Sequence, residues 1–379
     1  MKLGNAAIWF CSMLSIYSAQ SPTSNLPTLL WSAEVLHEDF APTRNPLTAM
    51  VLQRDRPGVV FLDDERVIVY EVGTTGKLSS RTNSAVGSSF ALHASILSSE
   101  AGVLQSTKDW PTRAHYSSIH AAAAGLLLRT GNTLSLLSKD FEEIGKTTLP
   151  DVGRCLINFS ATERTILVNC LSEEQKISHF TVFDGSTFEL KFSWTETPPL
   201  FRGYSINDTG IFASDVSKRA VIFSKFESHK WEKIFTSEDT CPQLRMITLD
   251  DYVFSICKDL SLERNSNLTV SSLDKQALIT DKLDKGQNFS EAAAISQDAR
   301  VVALWLDTMK LEKKILAESR EVRSATYVAI FDLSKKVQIP SINISPMPND
   351  DYDLALSPDG SKLAVLTDRR VYVYALPKN

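Results

Sequence analysis

Leu356-Ser357-Pro358-Asp359-Gly360-Ser361-Lys362-Leu363-Ala364-Val365-Leu366 reads as the end of one strand, a tight polar turn and a second strand. Gly supplies a positive φ at no steric cost, and Asp accepts hydrogen bonds from the turn backbone. A third strand follows at once, Arg370-Val371-Tyr372-Val373-Tyr374-Ala375-Leu376. Weaker copies of the strand–turn–strand unit recur at 59–70, 119–128, 156–168, 204–213, 244–254 and 293–304, before the last at 354–366. Further segments rich in β-branched and aromatic residues follow several turns, such as 178–183 (SHFTVF), 220–223 (AVIF), 268–273 (LTVSSL) and 326–333 (TYVAIFDL).

The copies are spaced by roughly 40 to 60 residues, the range of a propeller blade. About 355 residues shared among seven copies leaves about 50 for each, enough for four short strands. The pattern therefore predicts an all-β fold, a β-propeller of seven four-stranded blades, as a single domain over residues 21–379. The chain ends inside a strand, which leaves the last blade one strand short. An N-terminal strand, from 29–36 (LLWSAEVL) or 47–53 (LTAMVLQ), is expected to complete that blade and remove a free sheet edge. One charged stretch, 309–323, interrupts the pattern and is compatible with a short helix, a long hairpin arm or a solvated loop.

The chain has 379 residues, 40 Lys and Arg against 45 Asp and Glu, and a net charge of -5. Well-mixed, mildly acidic charge argues against nucleic acid as a partner, because phosphate binding needs a basic face. Residues 1–20 read as a signal peptide: Lys2, then the apolar run 6–16 (AAIWFCSMLSI), then small residues around Ala19. The run is too short to cross a bilayer, and no other stretch is long and apolar enough to do so. Cys11 lacks the context of a lipid anchor. The expectation is an exported chain, periplasmic or extracellular.

Export suits the cysteines. Cys155, Cys170, Cys241 and Cys257 remain once the leader is removed, an even number. Pairing Ser160 with Thr165 places Cys155 opposite Cys170, Ile157 opposite Val168 and Phe159 opposite Ile166, so one face is apolar and the thiols are in reach. A hairpin turning near Leu249-Asp250 would oppose Leu244 to Phe254, Met246 to Tyr252 and Cys241 to Cys257. Two local disulfides are expected. Four buried thiols are the alternative.

The segment 357–365 (SPDGSKLAV), followed by Val371-Tyr372-Val373-Tyr374, resembles the WD40-like repeat of exported bacterial β-propellers, as found in the propeller domain of the translocation protein TolB. Asp298-Ala299 and Asp208-Thr209 keep the Asp of that turn and lose the Gly, and no copy carries the GH and WD dipeptides of true WD40 repeats. The family includes binding, assembly and enzymatic members, so the resemblance implies a fold and not an activity.

Candidate chemistry is sparse. His37, His93, His115, His120, His179 and His229 are dispersed, without metal-ligand spacing. Asp63, Asp64, Asp208, Asp298 and Asp359 recur in turns, where backbone bonding explains them without catalysis. Trp31 and Trp110-Pro111 could line a groove or fill gaps between blades. Sequons at Asn158, Asn207, Asn267, Asn288 and Asn343 matter only in a eukaryotic secretory pathway. No nucleophile elbow, zinc helix, phosphate loop or dinucleotide turn occurs. The reading is a non-enzymatic, monomeric binding scaffold for a protein or cell-envelope partner, with no cofactor and no metal. The alternative is a lactonase-like or carbohydrate-active propeller enzyme with its site in the central channel.

Overall fold

The computed structural model describes residues 26–35, 57–75, 89–112, 116–150, 154–172, 176–197, 203–217, 220–227, 230–238, 243–250, 252–258, 267–272, 277–284, 286–312, 320–348 and 352–377. The proposed leader, residues 1–20, lies outside them. The regular elements among the described residues are twenty-eight β-strands, arranged in seven four-stranded antiparallel sheets.

Strand β1 (Thr28–Glu34) comes first in the chain but belongs to the last sheet. The first sheet is β2 to β5 (Gly58–Phe61, Arg66–Thr75, Ser89–Ser98, Leu104–Thr112). The second is β6 to β9 (Ser117–Ala122, Gly125–Thr130, Thr133–Ser138, Glu143–Thr148). The third is β10 to β13 (Arg154–Phe159, Thr165–Ser172, Ile177–Asp184, Leu190–Glu196), and the fourth β14 to β17 (Gly203–Ile206, Ile211–Ser217, Ala220–Glu227, Lys230–Glu238). The fifth is β18 to β21 (Gln243–Leu249, Tyr252–Lys258, Asn267–Ser272, Ala277–Lys282), and the sixth β22 to β25 (Gln287–Ile295, Val301–Glu312, Arg320–Asp332, Val337–Asn343). The seventh is β26 to β28 (Tyr352–Leu356, Lys362–Thr367, Arg370–Ala375) with β1 on its outer edge.

First strands of successive sheets touch: β2 meets β6, β10 meets β14, β14 meets β18 and β22 meets β26. Sheets two and three share a core through Leu127, Leu136, Ile166 and Val168, and β19 touches β22. Finally β26 returns to β2. The array closes on itself around an axis with the first strands innermost, which is a β-propeller. The seven strand–turn–strand copies are its innermost hairpins.

Burial on both faces explains why these strands read as continuous apolar runs. In β27, Leu363 and Val365 pack against the sixth sheet, while Ala364 and Leu366 pack against the first. In β2, Val60 faces the second sheet and Val59 faces the seventh. The described ends of the stretch 309–323 extend the β23–β24 hairpin: Met309 pairs with Arg323, and Glu312 with Arg320.

Of the two closing segments foreseen, 29–36 overlaps the strand that pairs with the last one, and 47–53 lies outside the described residues. Thr28 opposes Ala375 and Glu34 opposes Arg370. The Trp31 indole donates to the Ser99 carbonyl at 2.8 Å, tying β1 to the first sheet as well. Its ring lies over Gly102, whose φ is +67° and whose Cβ, if present, would sit 2.6 Å from the indole. Trp31→Ala removes that bond and the packing, with an expected cost of about 2–3 kcal/mol in chemical denaturation.

The third sheet has the register Cys155↔Cys170, Ile157↔Val168 and Phe159↔Ile166, and the two cysteines are bonded, with Cα atoms 4.0 Å apart. The fifth sheet departs from the expected register. Leu244 opposes Cys257, Met246 opposes Ser255 and Ile247 opposes Phe254. A tight turn starting at Asp250, φ +50°, pairs Leu249 with Tyr252 and slides the hairpin away from the Cys241–Cys257 alignment. Cys241 lies outside the described residues.

Candidate functional site

The turns of the innermost hairpins share one mouth of the channel. Three of them are built alike. Ser357, Ser296 and Ser160 each donate their N–H to the carbonyl of the residue five positions on, and accept from the N–H three positions on. Each serine hydroxyl also accepts the N–H of the residue five positions on, at 2.9 to 3.1 Å. The second polar residue closes the turn: Ser357 and Ser296 donate to Asp359 and Asp298 at 2.7 and 2.6 Å, and Ser160 meets the Thr162 hydroxyl at 3.2 Å.

The fourth position of each turn has positive φ. It holds Gly360 (+66°), Ala299 (+56°) and Glu163 (+61°). Glycine fits there without penalty, and the other two are held by the surrounding hydrogen bonds. Elsewhere Asp63 accepts from the N–H groups of Glu65 and Arg66, and Asn207 from those of Thr209 and Gly210.

These bonds settle what most of the recurrent acids do. Burial raises the Asp359 carboxyl, but hydrogen bonds from Ser357 and Ser361 outweigh it and hold it at about 2. Asp298 and Asp63 are likewise lowered against the effect of burial by their turn and arginine partners. Asp64 is the exception, raised by burial and by the neighbouring charge of Asp359, whose N–H it accepts at 3.0 Å. Lys362 reaches the same junction, bonding the Asp64 carbonyl and Glu100 at 2.7 Å.

One turn reaches much further than the rest. Residues 160–164 of the third sheet touch four other sheets. The Ala123 N–H of the second sheet donates to the Glu163 carbonyl at 3.2 Å. Thr162 donates to Asp208 of the fourth sheet at 2.7 Å. The Ala161 N–H donates to Asp250 of the fifth at 3.2 Å, and Gln297 of the sixth donates to the Glu163 carboxyl at 2.7 Å. Sheets three and six stand across the ring from each other, so this last bond spans the channel mouth. Burial pushes the Glu163 carboxyl up to about 7, with the Gln297 bond and the charge of Lys139 pulling weakly the other way.

Deeper in, Ser118 and His120 occupy the same face of the inner strand β6, with Oγ 2.8 Å from Nε2. The imidazole lies 5.2 Å from the Phe159 ring. Burial, and then the positive charge of Arg129, push it down to about 4, so it is neutral at pH 7 and a weak base. Arg129 donates to the Cys155 carbonyl at 2.8 Å, so it braces the disulfide across two sheets.

The other singled-out residues are scattered. His93 meets Asp109 at 2.5 Å across β4 and β5, towards the rim of the first sheet. His179 stands opposite Cys170 in β12. His37, His115 and His229 lie outside the described residues. Trp110 packs 6.2 Å from Phe141, filling the gap between sheets one and two. Among the described residues no group of three or more His, Cys, Asp or Glu could hold a metal ion, and no helix is long and apolar enough to cross a membrane. Glu163, Gln297 and Lys139 escaped the sequence reading. The only signal for Glu163 was its place in the slot where the last copy has Gly360.

No family model matches this chain, and no curated protein matches it. Solved structures do. A chain of the mitotic checkpoint complex is 10% identical, with 98% of this chain and 99% of that chain covered and a TM-score of 0.50. The WD40 domain of Toxoplasma gondii coronin is 7% identical, with 93% and 88% covered and a TM-score of 0.50. The C-terminal WD40 domain of Sif2 is 13% identical, with 93% and 99% covered and a TM-score of 0.47. At these identities the two likenesses with a TM-score of 0.50 carry the β-propeller fold and nothing beyond it.

Proposed function

We propose that this chain is an exported, seven-bladed propeller of the TolB-repeat type, closed by its N-terminal strand and spanning 21–379. It acts as a monomeric, non-enzymatic scaffold for a protein or cell-envelope partner. Seven four-stranded sheets and the β1–β28 pairing support the ring and its closure. The Cys155–Cys170 bond and the leader-like residues 1–20 support export, since such bonds persist in oxidising compartments.

The observation that carries the scaffold reading is how the turn acids are spent. Asp63, Asp298 and Asp359 bond their own turn backbones. That rigidifies a rim whose tips, Glu65, Arg164, Arg300 and Asp359, remain exposed and carry both signs of charge. A preorganised, mixed-charge rim suits protein recognition more than turnover. The competing reading, a lactonase-like or carbohydrate-active channel enzyme, rests on the Ser118–His120 contact, whose imidazole is a poor match for base catalysis at neutral pH.

Photo-crosslinking residues placed at Glu65, Arg300 or Asp359 should give one dominant adduct in cells. The same residue at Ile144, on the outer strand β9, should give none. Adducts equally abundant from all four positions, or from none, would overturn the reading.

A further inference from the structure

We propose that the β10–β11 turn is a pH-sensitive latch across the channel mouth, closed while the Glu163 carboxyl carries its proton and loosened once it ionises. This turn bonds sheets two, four, five and six, and the Gln297–Glu163 bond joins sheets on opposite sides of the axis. A single hairpin tip therefore bridges the mouth. The Cys155–Cys170 bond staples the far end of the same hairpin, so movement is confined to the tip.

The groups around Glu163 decide the sign. Sheet six presents Gln297, and beside it Asp298, which is already held by Ser296 and Arg300. Sheet two presents Lys139, whose charge acts on the carboxyl and whose carbonyl accepts from Arg66. Sheet four presents Asp208, engaged by Thr162 and Thr165. Sheet five presents Asp250, engaged by the Ala161 N–H. On its own hairpin, Arg164 points to solvent, and its carbonyl accepts from Gly185. Three carboxylates nearby, set against the charge of Lys139 and a solvent-facing Arg164, leave an ionised Glu163 poorly compensated.

The closed carboxyl titrates at about 7, against 4.5 for one in water. The closed form therefore holds its proton more tightly than the open form. Closure is favoured fully below pH 4.5 and is lost progressively as pH rises through 7. Such a displacement corresponds to about a 300-fold change in the open-to-closed ratio overall, of which about tenfold falls between pH 6 and pH 8.

Hydrogen exchange of the full-length protein tests this, read by mass spectrometry and corrected for intrinsic rates. Protection of peptides containing Ala123, Ala161 and Gly185 should fall about tenfold from pH 6 to pH 8, while that of β7 and β8 stays level. Glu163→Gln, which cannot ionise, should hold constant protection over the same range. Unchanged protection in the wild-type protein, or an equal loss in Glu163→Gln, would overturn the latch. The wild-type series decides alone should that variant fold poorly.

Discussion

Asp307→Ala should be among the most damaging single substitutions in this chain, costing about 3–4 kcal/mol in equilibrium denaturation. Asp307 lies in β23 with its side chain 12% exposed. Its Oδ1 accepts from the Trp305 indole at 3.2 Å and the Thr326 hydroxyl at 2.9 Å, and lies 3.3 Å from Arg323 Nε. Those partners hold more than one sheet. Trp305 is fully buried and stacks 4.6 Å from Tyr352 of the seventh sheet. Arg323 lies 5.5 Å from the same ring and donates to the Pro348 carbonyl at 3.0 Å.

Removing the carboxylate strands two buried donors and a guanidinium at once. A buried donor left alone costs about 1–3 kcal/mol, and an unpaired charge costs more. Arg323 is 26% exposed, so water screens part of the charge penalty, and the lower end of the range is expected. The double variant Asp307→Ala/Arg323→Met should recover about 1–2 kcal/mol of the loss, because it removes the stranded charge. Additive losses in the double variant would show that the pair is not coupled.

Legibility in the sequence followed burial. Strands covered on both faces read as unbroken apolar runs punctuated by polar turns, so the seven innermost hairpins stood out, as in Leu363-Ala364-Val365-Leu366. The Cys155–Cys170 register was legible because only one alignment set Ile157 against Val168 and Phe159 against Ile166. The fifth sheet offered no such discrimination. Leu244, Met246, Ile247 and Leu249 pair with a strand that holds Val253, Phe254 and Ile256, so several registers set apolar residues opposite one another. The tight turn at Asp250 decided among them. The mouth of the channel was not legible for a different reason. Glu163 and Gln297 are 134 residues apart and meet only through ring closure. A glutamate in a glycine slot carries no motif to mark it.

Loss of the Cys155–Cys170 bond is the second large effect. The bond closes a 15-residue separation. Freeing a loop of that size restores about 3 kcal/mol of conformational entropy to the unfolded chain. For a chain of this length, that corresponds to a fall of about 4 °C in Tm. Cys155→Ser/Cys170→Ser should show it, as should the wild-type protein after reduction. The local consequence differs from the global one. Both cysteines are buried, and the Cys155 carbonyl accepts from Arg129, so the base of the hairpin keeps that anchor when the sulfurs part. The tip, with bonds to four sheets, loses its lever arm. Hydrogen exchange of residues 160–165 should therefore rise more than the stability change alone predicts, whereas β7 and β8 should follow global stability. A uniform rise across both regions would mean that the bond acts on the unfolded chain only and has no part in holding the tip across the channel.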